Sequence, residues 1–157
     1  MRIMRAEGVD GMAITIRLDV EDHINVKGLI NAVQGDKLWL YAATEWHRLY
    51  KDWVPMKNGT LYSNVVFRPK EIEHMAPYAH YMYEGKVYGP NIPISEGGAI
   101  TGFYSPRNRP KSPTGKSLKY SHGQHPKACA KWDQAAAPTQ LPKLVDSMQG
   151  YVDQGRL

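Results

Sequence analysis

Histidine and cysteine are the residues of this chain with the most chemistry to offer, because histidine is the usual metal ligand, general base and pH switch and cysteine the usual soft nucleophile. His122 and His125 lie three apart in Ser121-His122-Gly123-Gln124-His125-Pro126. Gly123 and Pro126 argue against one helical face presenting both rings to a single ion. Zinc normally takes three or four protein ligands, and none is evident nearby. His74 and His80 flank Ala76-Pro77, and His47 sits beside Glu45 and Trp46 in a helical pattern, the setting of a surface or boundary residue rather than of a base. Cys129 would need a lowered thiol pKa and a partner imidazole, which His125 offers four residues earlier; the plainer reading is a small buried residue.

The motifs that fix an enzyme class are missing. There is no His-Glu-x-x-His, no Gly-x-Ser-x-Gly elbow and no Walker-type loop. Ser112-Pro113-Thr114-Gly115-Lys116-Ser117 is similar to the end of one but lacks the upstream glycine and strand. The expectation is a chain without catalytic, cofactor-binding or metal-ligating residues: not an enzyme, and needing no cofactor.

With 157 residues, 42% of them hydrophobic, the chain is long enough for one domain with a core of its own. No stretch approaches the roughly 20 apolar residues of a membrane span, and Met1-Arg2-Ile3-Met4-Arg5 leads into Glu7 and Asp10 rather than into a signal-type apolar run. A soluble, unexported protein without membrane contact is expected. The single cysteine excludes an intrachain disulfide and suits a reducing compartment. A formal charge of +5 permits attraction to phosphate or to acidic protein surfaces and says nothing of fold.

The elements follow from periodicity. Ile14, Ile16 and Leu18 alternate as a half-buried strand does. From about Val26 to Lys51 the apolar positions Val26, Ile30, Val33, Leu40, Tyr41 and Leu49 recur at helical spacing, with Asn25 as N-cap and a kink or break at Gly35-Asp36. Val54-Pro55-Met56-Lys57-Asn58-Gly59-Thr60-Leu61 is a tight corner: Pro55 presets φ, and Asn58-Gly59 is the dipeptide best able to take φ > 0. Residues 62–68 and 70–75 are β-prone and divided by Pro69, which reads as two strands or as one strand broken by a bulge. Tyr78-Ala79-His80-Tyr81-Met82-Tyr83-Glu84-Gly85 suits a short aromatic helix or turn ended by a glycine cap.

From Gly85 to about Lys116 roughly a third of the positions are glycine or proline and helical period disappears. Loops of that length without structure are uncommon unless functional or disordered. Val87 with Tyr88, Ile92 with Ile94, and Ile100 with Phe103 and Tyr104 predict a β-ribbon within a protruding arm at 85–119. Arg107, Arg109, Lys111, Lys116 and Lys119 place a basic cluster there with no acidic residue among them. A helix is expected over Pro126–Ala137, ended by Pro138, and a last one from Thr139 or Pro142 to Val152, with Leu144, Val145, Met148 and Val152 as its stripe. The fold class expected is α+β: a small antiparallel sheet packed by a long N-terminal helix, an arm, and C-terminal helices, in one domain with residues 1–12 as an extension and 138–157 as the C-terminal helix region.

The order of these motifs resembles the small minor capsid and head-tail connector proteins of long-tailed phages and prophages, related to neck and tail-completion proteins. The likeness runs through Tyr41-Ala42-Ala43-Thr44-Glu45-Trp46-His47-Arg48-Leu49-Tyr50, Val54-Pro55 with Gly59-Thr60-Leu61, Ala76-Pro77-Tyr78-Ala79-His80-Tyr81, Tyr83-Glu84-Gly85-Lys86-Val87-Tyr88-Gly89-Pro90-Asn91, Pro113-Thr114-Gly115-Lys116 and Trp132-Asp133. Lys57 and Asn58 stand where the wider family pattern has Asp and Thr, and Glu84 falls one place later than usual.

The resemblance implies a structural virion subunit at the head-tail junction, made in the host cytoplasm, that assembles with itself as a ring and meets portal-side and tail proteins. Pro55, Lys57, Asn58, Gly59, Leu61, Tyr78, Tyr81, Tyr83, Glu84 and Tyr88 are the expected assembly interface. Arg107, Arg109, Lys111, Lys116 and Lys119 are the expected DNA-channel or loop residues, in weak contact with packaged DNA. A small basic nucleic-acid-binding protein is the alternative, with Tyr104 and Tyr120 as stacking partners.

Overall fold

A computed structural model describes residues 4–7, 13–18 and 32–155. It is a mixed α+β chain with small antiparallel sheets and one long C-terminal helix. The main sheet has the order β1-β2-β4-β3, with β1 at Met4–Glu7, β2 at Ile14–Arg17, β3 at Val65–Arg68 and β4 at Glu71–His74, all neighbours antiparallel. In β2 the alternation read from the sequence holds: Ile14 and Ile16 are buried, as is Leu18 just beyond the strand. Ile72 pairs with Ile16 and is likewise buried, so these side chains meet on the core face. Pro69 and Lys70 turn β3 into β4, with Lys70 at φ 65°.

Helix α1 spans Ala32–Leu49. The expected start at Asn25, Val26 and Ile30 lies outside the described residues, as do the side chain of Val33 and most of the 1–12 extension. Gly35 causes no break; the helix runs through it with Gly35 buried. The buried stripe also differs from the expected one. Leu38, Ala42, Ala43, Trp46 and Tyr50 face the core, whereas Leu40 is exposed and Tyr41 stacks on Tyr151. Spacing by fours, Leu38-Ala42-Trp46-Tyr50, is the ridge formed here, and a stripe drawn through Leu40, Tyr41 and Leu49 without the alanines and Trp46 misplaces it.

Helix α1 packs on β3, β4 and helix α4, which spans Trp132–Asp153. The expected helix over 126–137 forms only from Trp132, residues 126–131 being irregular, and its stop at Pro138 is not found: one helix passes through both Pro138 and Pro142. A helical proline forfeits a hydrogen bond to the carbonyl four residues back, here those of Gln134 and Pro138. Trp132, Ala136, Leu144 and Met148, all multiples of four apart, are fully buried against the sheet and α1. Burial of those four side chains outweighs the cost of two prolines.

The corner begins with a 3-10 turn at Lys51–Trp53 and continues into a single helical turn, α2, at Thr60–Ser63. The β-strand expected from Tyr62 therefore starts three residues later. Helix α3 spans Ala79–Glu84 and ends on Gly85 at φ 71°, the glycine cap read from the sequence. Beyond it β5 (Lys86–Gly89) pairs with β8 (Ser112–Ser117), and β6 (Ile92–Glu96) with β7 (Ala99–Tyr104), each pair antiparallel. No helix among the described residues is long and apolar enough to cross a membrane.

Candidate functional site

Three buried histidines hold the 54–62 corner by its carbonyl groups. His125 bonds through Nδ1 to the Val54 carbonyl at 2.6 Å, His74 through Nδ1 to Leu61 at 2.8 Å, and His47 through Nε2 to Tyr62 at 2.8 Å. A carbonyl only accepts, so each of these nitrogens carries the proton. That leaves His74 Nε2 to accept from the Tyr50 hydroxyl at 2.7 Å. Burial depresses the basicity of His47 and His74, each to a pKa of about 4. His47 also stacks on Tyr62, with centroids 4.0 Å apart. His47 and His74 are thus neutral at ordinary pH, and all three rings fasten backbone carbonyls.

At the corner's apex the Thr60 N–H donates to the Asn58 side-chain oxygen at 3.2 Å, and Gly59 takes φ 83°. A left-handed residue flanked by an asparagine-capped turn is what Asn-Gly supplies at low cost.

The segment after β8 then runs back over both the corner and α3. Leu118 N–H donates to Gly85, the Tyr120 hydroxyl to Met82 at 2.7 Å, Cys129 N–H to Trp53 and Lys131 N–H to Tyr83. Two of these bonds grip α3, one its glycine cap and one the corner. The Tyr120 phenol, partly buried, is pushed up to about 12 by desolvation. Lys127 lies over the Trp53 ring, 4.4 Å from its centroid.

Between corner, α3 and this return segment lies an open groove of about 600 Å³. Pro55, Met56, Leu61, Tyr78, Met82 and Tyr120 supply most of its apolar wall. Its charged side chains are Lys57 and Lys119, and no acidic residue lines it. Two stretches about twenty residues apart in the chain, the corner and the aromatic helix, thus share one surface.

Of the expected interface residues, Pro55, Lys57, Asn58, Gly59, Leu61 and Tyr78 line this groove. Tyr81 and Tyr88 lie together elsewhere, centroids 4.9 Å apart, beside the His80 ring and under Lys111. Glu84 is half-buried. Tyr83 is not a contact residue: it is 2% exposed, its ring meets Trp132 edge-on, and its hydroxyl donates to Asp133 at 2.7 Å. Burial holds the Asp133 carboxyl above its usual range and the Tyr83 phenol well above its own. Pro55 and Leu61 are largely buried too and act as the floor.

Arg107, Arg109, Lys111, Lys116 and Lys119 are all exposed, and none makes an ion pair among the described residues. Lys119 belongs to the groove, while Lys116 lines a second cavity of about 480 Å³ with Val87, Pro90 and Phe103. His122 bonds to the Pro126 carbonyl and His125 to Val54, so the two rings serve different carbonyls. No cluster of three or more His, Cys, Asp or Glu residues among the described ones is arranged to hold a metal ion. Desolvation and nearby Asp133 raise the Cys129 thiol, the wrong direction for a nucleophile. Sequence reasoning missed Met56, Met82 and Gln124 as groove residues, since isolated positions in loops and short turns carry no periodic signal.

Comparison of the chain with protein-family models, curated proteins and solved structures finds no match.

Proposed function

We propose that the chain is a structural, non-enzymatic subunit of the head-tail junction of a long-tailed phage particle, assembling with copies of itself as a ring between portal-side and tail proteins. One observation carries the reading furthest: the corner and the aromatic helix, two of the segments in which the resemblance is concentrated, line one open groove although they are separate in sequence. In this reading α1 is the helix that packs the sheet, and residues 85–119 are the arm that reaches a neighbour. The exposed ribbon β6–β7, with Ile100 and Phe103 more than 60% exposed, supports that role. The subunit resides in the virion and needs no cofactor.

An image of the intact particle tests this reading. Density for the chain at the neck is the expected result, and its absence there refutes the proposal. Neighbouring genes for portal and tail proteins are the cheaper check.

A small basic nucleic-acid-binding protein is a second reading, favoured by the exposure of the five basic side chains on one segment. In a ring the same residues would face passing DNA, where contact must be weak and salt-dependent for passage to continue.

A further inference from the structure

The ribbon β6–β7 and the groove have complementary needs. Ile94, Ile100, Phe103 and Tyr104 are 42, 62, 64 and 50% exposed. Pairing of Ile92 with Tyr104, Pro93 with Phe103 and Ser95 with Ile100 puts Ile94 and Tyr104 on one face and Ile100 and Phe103 on the other. A ribbon apolar on both faces has no inside, and an isolated two-stranded hairpin is marginal in water. Its own chain leaves it bare near the tip, since a side chain at Gly97, Gly98 or Gly102 would meet nothing within 4 Å.

The groove offers an apolar wall edged by Lys57 and Lys119. Glu96, beside the Gly97-Gly98 turn, is the single charged residue between Ile92 and Tyr104. No residue of the ribbon lines the groove of its own chain. A volume in the class that takes a drug-sized ligand, roughly 300–1,000 Å³, admits a few side chains of a loop tip rather than a folded element.

We propose that the tip of the β6–β7 hairpin of one copy docks in the groove of the next as a wedge, with Ile94 on one face and Ile100 on the other each meeting its apolar lining and Glu96 between Lys57 and Lys119. The occupant is a second copy of this chain. Hairpin and groove are different surfaces, so the contact is head-to-tail: every copy gives one hairpin and receives one, and a rotation per step that divides a full turn, without translation, closes a ring. The inference rests on the self-assembly part of the proposed function and gives it an address.

The test uses the full chain, by native mass spectrometry and sedimentation velocity. Ile94→Ser with Ile100→Ser removes the hairpin's anchors, and Lys57→Glu with Lys119→Glu reverses the groove's charge. All four positions are exposed, so the fold should survive, as circular dichroism can check. Wild type is expected to form assemblies larger than a dimer and each double variant alone to be monomeric. Mixed, the two variants should give a one-to-one heterodimer that grows no further, because only one intact hairpin and one intact groove face each other. Glu96→Lys added to the groove variant should restore assembly.

Assembly that persists in either double variant overturns the inference, as does a mixture that fails to pair or a wild-type chain that stays monomeric at every concentration. The virion reading fails separately. Hairpin–groove pairing in solution by a chain missing from the imaged neck would sink that reading alone, and a chain present at the neck whose assembly ignores both variants would sink this one alone.

Discussion

Acidification should loosen the chain through two of the three histidines that hold the corner. His47 and His74 titrate at about 4 in the folded state because burial penalises the imidazolium, against about 6.5 for an unfolded histidine. The unfolded chain therefore binds more protons throughout that window, and stability rises with pH across it. The contribution is present in full above about pH 6.5 and is lost progressively as pH falls toward 4. Between about pH 7.5 and pH 5 the loss comes to about 2 kcal/mol for each ring, or about 4 kcal/mol for both. That is a large fraction of the roughly 5–15 kcal/mol by which domains are stable. Protonation also breaks the local geometry, since an imidazolium at His74 would force the Tyr50 hydroxyl, now a donor at 2.7 Å, to turn and accept.

Urea unfolding at the two pH values measures the effect, and His47→Gln isolates one ring. The glutamine amide can still donate to the Tyr62 carbonyl but cannot gain a charge. Wild type should lose about 2 kcal/mol more than the variant between the two pH values. Asp133 works with the opposite sign, because burial raises its carboxyl and the folded state then gains from binding that proton as pH falls. It is common to both proteins and cancels in the difference. Equal losses in wild type and variant would refute the assignment of His47 as a buried neutral fastener.

The other expectations are local. Gly85→Ala should destabilise by about 2–4 kcal/mol in urea unfolding, since a left-handed φ of 71° disfavours a side chain and its Cβ would lie 2.7 Å from that of Ala130. Tyr83→Phe leaves the buried Asp133 without its hydroxyl partner and should cost about 1–3 kcal/mol by the same assay. Leu61→Ala empties the floor of the groove and should cost about 2–5 kcal/mol. If the basic cluster contacts DNA, changing Arg107, Arg109 and Lys111 to Ser should flatten the dependence of retention on salt by up to about 0.9 per lost phosphate contact; an unchanged slope would remove those residues from any such contact.

What the sequence made legible was the part written in local rules. Alternation marks Ile14 and Ile16, Gly85 caps α3, Pro69 separates β3 from β4, and Asn58-Gly59 makes the corner; each depends on a few neighbouring residues whose preferences agree with the fold. The failures occurred where long-range burial overrides a local rule. Pro138 is a helix stop by local chemistry, yet Trp132 and Ala136 on one side of it and Leu144 and Met148 on the other are buried in the same core, so the helix continues. Tyr83 sits in a run of tyrosines whose local pattern does not separate contact from core, and it is Asp133, fifty residues on, that gives its hydroxyl a buried acceptor. The groove was legible by halves. Both of its main walls stand out in the sequence as a turn and an aromatic cluster, but their juxtaposition depends on residues 118–131 returning across them through backbone hydrogen bonds that no side-chain pattern announces. The same return segment carries Lys119 to the groove where Lys57 already stands, giving an apolar surface two positive edges. Among the described residues, the β6–β7 tip joins exposed Ile94 and Ile100 to a carboxylate, Glu96, set beside its turn.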